Sequence, residues 1–344
     1  MRAVVIHAPR DLRVEEMACG DPGPGEVRVR LGVGGICGSD LHYYQHGGFG
    51  AIRLREPMVL GHEVAGTVAA VGAGVAGVAP GDRVTVNPGV PCGDCVYCRE
   101  GLRNQCLDMR FYGSAMRFPH VQGAFREEMV IAAEQAFAVG DAVTLEEAAC
   151  AEPLSVCLHA VTRAGSLVGK RVLVSGCGPI GCLMVMAARF AGAQEIVACD
   201  VIPAPLALAT RIGADAGVNV AEGAGLAGER RDKGRFDVTF ECSGNPRALA
   251  EAVEVTRPRG TVVLVGLGGD VPLPMNAVVA KELHLHGTFR FDTEFARAAG
   301  LIARRRIDVR PVVTATLPLD RARDAFDLAA DRSRSMKVQI ILGT

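Results

Sequence analysis

The sequence predicts an α/β protein in two parts: a domain of short strands closing toward a barrel, and a doubly wound parallel sheet. Three observations lead there. Residues 171–200 read as strand, glycine turn, helix and second strand; residues 3–86 alternate in short runs broken by Gly and Pro; and four cysteines fall within 92–106. At 344 residues the chain is long enough to bury two cores of ordinary size.

The run 172–175 is short and β-branched, as a buried strand requires. It breaks into Gly176, Gly178 and Gly181, a G-x-G-x-x-G turn, and an apolar helix follows over 180–190. A second strand over 195–199 ends on Asp200, 19 residues beyond Gly181. The first glycine permits a tight turn, the second a close approach of backbone to a pyrophosphate, and the third close packing of helix on strand. The helix N-terminus offers unpaired N–H groups to phosphates, and Asp200 is placed to accept from the adenosine ribose hydroxyls. Gly176, Gly178, Pro179, Ile180, Gly181 and Asp200 are the dinucleotide candidates. Strands over 237–241 and 261–265 are apolar on both faces, as parallel sheets need. Gly266 and Leu267 follow the second of these.

The N-terminal part reads as strands over 3–6, 26–33, 64–71 and 83–86, separated by glycine and proline turns. Within it lie Cys37, Asp40, His42, His62 and Glu63. Thiolate and neutral imidazole both suit Zn²⁺, and an open catalytic site takes three protein ligands plus a position for substrate. Cys37 and His62 are the first two candidates, and Glu63 and Glu152 compete for the third. Asp40 is expected to orient His62 through its other ring nitrogen.

Cys92, Cys95, Cys98 and Cys106 are spaced C-x2-C-x2-C-x7-C. Four thiolates in a Gly-rich, polar loop can close a tetrahedral structural zinc site. A bacterial iron–sulfur signature has three residues before its last cysteine and a proline after it; here there are seven, and Leu107 follows. Four ligands leave no open position, so this zinc is expected to stiffen a lobe over about 88–110.

Composition excludes several classes. A formal net charge of −1 offers no basic field for nucleic acid. The most apolar helical stretch, 180–193, is interrupted by Arg189 and too short to span a bilayer. The chain begins on a strand-like run without a signal-peptide pattern, and its twelve cysteines suit reduced thiols and metal. A cytoplasmic protein with no nucleic-acid or membrane partner is expected.

Taken together, the segments GHEVAGTVAAVG (61–72), PGDRV (80–84), the four-cysteine loop, AEPLSVCLHA (151–160) and GCGPIG (176–181) resemble the zinc-dependent medium-chain alcohol/polyol dehydrogenases. The likeness spans essentially the whole chain. GICGSDLHYYQHGG (35–48), FYGSAMRFPHVQGAF (111–125) and GTFRF (287–291) are most similar to the sorbitol and L-idonate 5-dehydrogenase branch. The resemblance implies a GroES-like catalytic domain over 1–150 and 288–344, a Rossmann NAD-binding domain over 151–287, and an active site between them. It implies one catalytic and one structural zinc, NAD as the favoured cofactor with NADP as the alternative, and a homodimer or homotetramer. Ser39 resembles the first proton acceptor and His42 the exit to solvent, while His159 reads as structural. Among substrate positions, Tyr43 and Arg290 match the branch and Arg117 adds a candidate charge. Phe291 replaces a tyrosine of the sorbitol enzymes. An arginine can hold a carboxylate bidentately, so Arg290 favours a sugar acid, with oxidation of L-idonate to 5-keto-D-gluconate as the expected reaction. Sorbitol, xylitol, galactitol and L-threonine are the alternative substrates. Asp200 repels a 2′-phosphate, yet Ala204 and Pro205 stand where the branch commonly carries an adenine-side arginine. A zinc-free quinone reductase would lack the Cys37/His62 pair and the cysteine loop, and a non-enzymatic relative would be expected to lose Ser39, Asp40 or Glu152.

Overall fold

Alternation builds the first sheet. In the strand Glu26–Gly35, Val27, Val29, Leu31 and Val33 turn inward while Arg28 and Arg30 turn out, the period-two pattern of a strand with one face on a core. The computed structural model describes residues 1–343; Thr344, the last residue of the expected first domain, lies outside the described residues. The chain divides into two units. The first comprises Met1–Glu152, Phe295–Asp331 and the chain from Lys337; the second comprises Pro153–Glu294 and Arg332–Met336.

In the first unit a seven-stranded sheet runs in the order Ala136–Ala138, Arg83–Val86, Glu63–Val71, Glu26–Gly35, Lys337–Ile341, Val313–Pro318, and Glu128–Ala132 also pairs with Glu26–Gly35. Lys337–Ile341 is antiparallel to Glu26–Gly35 and parallel to Val313–Pro318. The C-terminal strand is thus an interior member of a sheet begun more than 300 residues earlier. A second sheet joins Asp11–Glu16, Arg2–Ala8 and Met58–Val59. Their inner faces share one core with Tyr43, Tyr44, Phe125 and Phe326.

The second unit is a six-stranded, wholly parallel sheet in the order Ala216–Asn219, Glu195–Asp200, Arg171–Ser175, Phe236–Glu241, Thr256–Leu264, His284–Gly287. Numbered along the sheet this is 3-2-1-4-5-6, the doubly wound order. Helices Pro179–Phe190, Pro203–Arg211 and Pro246–Val255 each begin on a proline, whose fixed φ and missing N–H suit a first helical position. Lys281 closes the end of the last of these. Its ammonium donates to the carbonyls of Val253, Glu254 and Thr256 at 2.6–3.1 Å, filling acceptors the helix leaves open. Among the described residues no helix is long and apolar enough to cross a membrane.

Candidate active site

The strand Glu26–Gly35 gives way to the helix Gly38–His46, with Cys37 as its N-cap. A helix start leaves N–H groups without partners, and Asp40 turns its carboxylate back to meet one. Its Oδ2 accepts from Cys37 N at 3.0 Å, and its Oδ1 accepts from Gly61 N at 3.1 Å. One fully buried carboxylate therefore ties the segment carrying Cys37 to the segment carrying His62. Burial pushes the Asp40 carboxyl up, and His62 with these two N–H groups opposes that shift. Gly61 has φ +91°, and a Cβ there would fall 2.2 Å from the Phe125 ring, so no side chain fits.

Gly35 pairs with Glu63 across the sheet, and a Cβ on Gly35 would sit 2.3 Å from Glu63 Oε2. The absent side chain is the space the carboxylate uses. As a result, one donor atom each from Cys37, His62 and Glu63 lies within 4.8 Å of the others. Glu152, in the helix Ala151–Ala164, is buried beside this cluster; burial pushes its carboxyl up to about 8, with Glu63 and Cys37 adding to the rise and His62 opposing it. Burial likewise pushes the Cys37 thiol up to about 11, helped by Glu63. Opposite them stands Lys337, almost wholly buried. Its Nζ donates to both Glu63 oxygens at 2.7 and 2.8 Å and to Ile36 O at 3.1 Å.

Three buried acids and a thiol thus face one ammonium and one imidazole. Buried charges persist only when paired or bound to metal, and Cys, His and carboxylate together form a donor set for zinc with an open position. His62 Nδ1 is buried without a hydrogen-bond partner, 3.9 Å from Asp40 Oδ1. At that distance Asp40 stands beside the imidazole as an ion-pair partner rather than a hydrogen-bond acceptor, while its two short bonds go to Cys37 N and Gly61 N and hold the two ligand-bearing segments together.

The four-cysteine loop closes on itself. Donor sulfurs of Cys92, Cys95, Cys98 and Cys106 lie within 4.8 Å of one another, with Cys92–Cys98 at 3.9 Å and Cys95–Cys106 at 4.0 Å. Zinc–sulfur bonds of about 2.3 Å give tetrahedral edges of about 3.8 Å, so the spacing fits. The N–H groups of Leu107 and Cys98 pull the Cys95 thiol down to about 6, toward the thiolate a metal requires.

In the second unit the glycine segment makes the tight turn and the close helix–strand packing that its sequence predicts. Gly176 has φ +89°, and a Cβ on Gly181 would fall 1.8 Å from Gly176 O. Strand, turn and helix are packed backbone to backbone, with Gly178 left open on the outer side. Asp200 Oδ2 accepts from Cys177 N at 2.7 Å, fixing the turn to the end of the neighbouring strand. Gly266 and Gly268 pack on Gly244 just as tightly, and Leu267 stands 73% exposed above them.

The sequence profile of the alcohol dehydrogenase GroES-like domain matches residues 23–141, and that of the zinc-binding dehydrogenases matches residues 179–304. The chain is 44% identical over 314 residues to L-idonate 5-dehydrogenase (NAD(P)(+)) of Escherichia coli, covering 91% of each. The chain belongs to the zinc-dependent medium-chain dehydrogenases. It is also 38% identical over 343 residues to sorbitol dehydrogenase of Gallus gallus, covering 98% of this chain and 95% of that one. The crystal structure of L-idonate 5-dehydrogenase from Escherichia coli superposes with a TM-score of 0.94 at 41% identity, covering 99% and 97% of the two chains. The GroES-like and parallel-sheet architecture expected from sequence is the architecture of this family.

The remaining candidate residues of this dehydrogenase divide. Ser39 is half-buried in the first turn of the helix Gly38–His46, and His42 lies three residues on, on the same helix face and exposed. His159 pairs with Glu294 at 3.3 Å, in line with its structural reading. Arg290 is half-buried with φ +53°, its guanidinium 4.8 Å from the centre of the Phe289 ring. Three substrate candidates have other contacts in the fold. Tyr43 is 1% exposed in the core, and its hydroxyl accepts from Ala115 N at 2.9 Å. Phe291 is buried as well. Arg117 is ion-paired with Asp108, so its charge is matched within its own loop. Sequence reasoning missed Lys337 and Arg332. Lys337 reaches Glu63 across 274 residues and Arg332 reaches Asp200 across 132, with no local signal for either.

Gly181→Ala is expected to cost about 1–3 kcal/mol, as overpacking against a rigid backbone does. A thermal melt should show the loss together with weaker NADH binding; an unchanged melting temperature would mean the turn is looser than described.

Proposed function

We propose that this dehydrogenase oxidises a secondary hydroxyl of a sugar acid, L-idonate to 5-keto-D-gluconate, with NAD as preferred acceptor and NADP accepted. The observation that carries the reading is the 44% identity to an L-idonate 5-dehydrogenase over 91% of both chains, with the Cys37, His62, Glu63 cluster intact. Cys37, His62 and Glu63 would hold the catalytic zinc, and Cys92, Cys95, Cys98 and Cys106 a structural one. A bound zinc ion supplies Lewis acidity toward the substrate hydroxyl, and a bound dinucleotide supplies the hydride acceptor.

The chain's own residues do the rest. Lys337 holds the Glu63 carboxylate in place through both oxygens. Glu152 is the second carboxyl of the cluster, available to hold the substrate hydroxyl or its proton. Ser39 accepts that proton, and His42, one turn on and exposed, hands it to solvent. Partial burial of its ring and the neighbouring His46 keep the His42 pKa below the usual histidine value, which favours a neutral acceptor. Gly176, Gly178, Pro179, Ile180 and Gly181 would cradle the pyrophosphate, Asp200 the adenosine ribose, and Gly266 and Leu267 the nicotinamide end. Arg290 is assigned to the substrate carboxylate. None of the twelve cysteines is in a disulfide, which supports a reducing, cytoplasmic setting. The parallel sheet ends on the unpaired edge of His284–Gly287, which supports self-association of the chain as a homodimer or homotetramer.

The test is NADH formation across L-idonate, sorbitol, xylitol, galactitol and L-threonine, with 5-ketogluconate reduction as the reverse check. A higher kcat/KM for L-idonate than for any uncharged polyol supports the reading; preference for sorbitol or xylitol replaces it. Arg290→Ala is expected to raise KM for L-idonate at least about tenfold, the value of a hydrogen bond to a charged group. KM for sorbitol should move far less. Equal losses on both would remove the carboxylate assignment.

A further inference from the structure

The Asp200 carboxylate has no acceptor to spare. Oδ1 accepts from Val201 N at 2.7 Å and from Ile202 N at 3.1 Å; Oδ2 accepts from Cys177 N at 2.7 Å and from Arg332 Nη2 at 2.6 Å. Four donors fill the sites a carboxylate offers. A ribose diol must therefore displace one of them. Three are backbone N–H groups fixed by the turn and strand end, so the donor that yields is Arg332. Its guanidinium lies 3.8–4.0 Å from where a Cβ on Gly178 would be, which puts it at the open side of the phosphate turn. Its side chain is 42% exposed while that of Asp200 is 3% exposed, so the arginine can move and the aspartate cannot.

A 2′-phosphate makes a different demand. It needs a cation and is repelled by an unopposed carboxylate. Residues 201–205 carry no cation, whereas Arg332, brought into the same unit by the short segment Arg332–Met336, already lies on Asp200. We propose that Arg332 sets the balance between the two cofactors: it counters the Asp200 charge and gives a 2′-phosphate its cation, while a free ribose binds only by pushing it aside. This rests on the dinucleotide reading of the glycine turn.

The test is direct binding, read by calorimetry and by nucleotide fluorescence on the zinc-loaded enzyme without substrate. NADH is compared with NADPH, and 5′-AMP with adenosine 2′,5′-bisphosphate, which lacks the pyrophosphate. For Arg332→Ala the Kd for NADPH and for the bisphosphate should rise at least about tenfold, as loss of a charge-assisted hydrogen bond does. The Kd for NADH and 5′-AMP should stay level or fall. Arg332→Lys keeps the charge and should keep most of the NADPH affinity, which separates charge from folding. Equal weakening of NADH and NADPH, with 5′-AMP and the bisphosphate unmoved, would assign Arg332 to the pyrophosphate and overturn the proposal. Failure of the unmodified enzyme to bind either dinucleotide would instead overturn the cofactor reading beneath it.

Discussion

Replacing His62 with Ala is expected to remove one zinc per chain and to lower kcat/KM at least about 10³-fold, while NADH still binds. The magnitude follows from the charge arrangement. The cluster gathers the half-buried Cys37 and the buried Glu63, Glu152 and Asp40 around one lysine, and Lys337 is already committed to Glu63 and Ile36. With the imidazole gone, thiolate and carboxylate alone must hold a dication, and the donor set falls to two protein ligands. A metal acting as Lewis acid contributes several kcal/mol at the transition state, and each 1.36 kcal/mol is tenfold in rate. The dinucleotide turn belongs to the other unit, so its affinity is the internal control. Metal analysis and an NADH titration on the same preparation decide the matter. A variant that keeps two zinc ions per chain and substantial turnover would remove His62 from the centre.

Cys37→Ser separates ligand from packing at the same place. The hydroxyl keeps the helix N-cap position but not the soft anionic donor, so metal should again be lost with the fold retained. Asp40 predicts the opposite split. Because it bonds Cys37 N and Gly61 N rather than His62, its loss loosens the two segments together.

What the sequence disclosed followed the range of the interaction. The glycine turn was legible because its tightest constraints lie within 30 residues: Gly181 against Gly176, and Cys177 N on Asp200; Ser243 and Arg332 reach it from farther along the chain. The cysteine loop was legible for the same reason. Cys37 and His62 could be named as ligand types, but their meeting depends on the Gly35–Glu63 pairing and on a carboxylate 21 residues from the N–H it binds. The helix Gly38–His46 gave no clear signal, since glycines stand at both of its ends and only Asp40, Tyr43 and Tyr44 are buried along it. Lys337 and Arg332 were invisible. Each is one basic residue in DRSRSMK, and only the folded chain sends one inward to Glu63 and the other to Asp200. For Tyr43, Phe291 and Arg117 the sequence offered only a position beside a motif, and the fold adds burial of the first two and an ion pair of the third.

Cys98→Ser is expected to release the second zinc and to open the loop 92–108 to protease at least about a hundredfold faster, with a much smaller change in Tm. The reason lies in what the loop lacks. Val96, Tyr97, Leu102 and Leu107 are 45, 38, 47 and 72% exposed, and of its side chains only Asn104 and Cys106 are buried. No apolar core holds this lobe. Its short helix Val96–Arg99 and the turn Arg103–Gln105 are too brief to stand alone. Four sulfurs around one ion would therefore supply most of its interior, and the free energy of binding that ion would then be the free energy of folding the lobe. Since the core of Val27, Val29, Leu31, Phe125 and Phe326 draws nothing from residues 92–108, global unfolding should be nearly indifferent. Limited proteolysis with mass mapping, run beside zinc analysis, reads both parts. Cleavage no faster than in the unmodified chain, or a full complement of zinc in the serine variant, would show that packing rather than metal holds the loop.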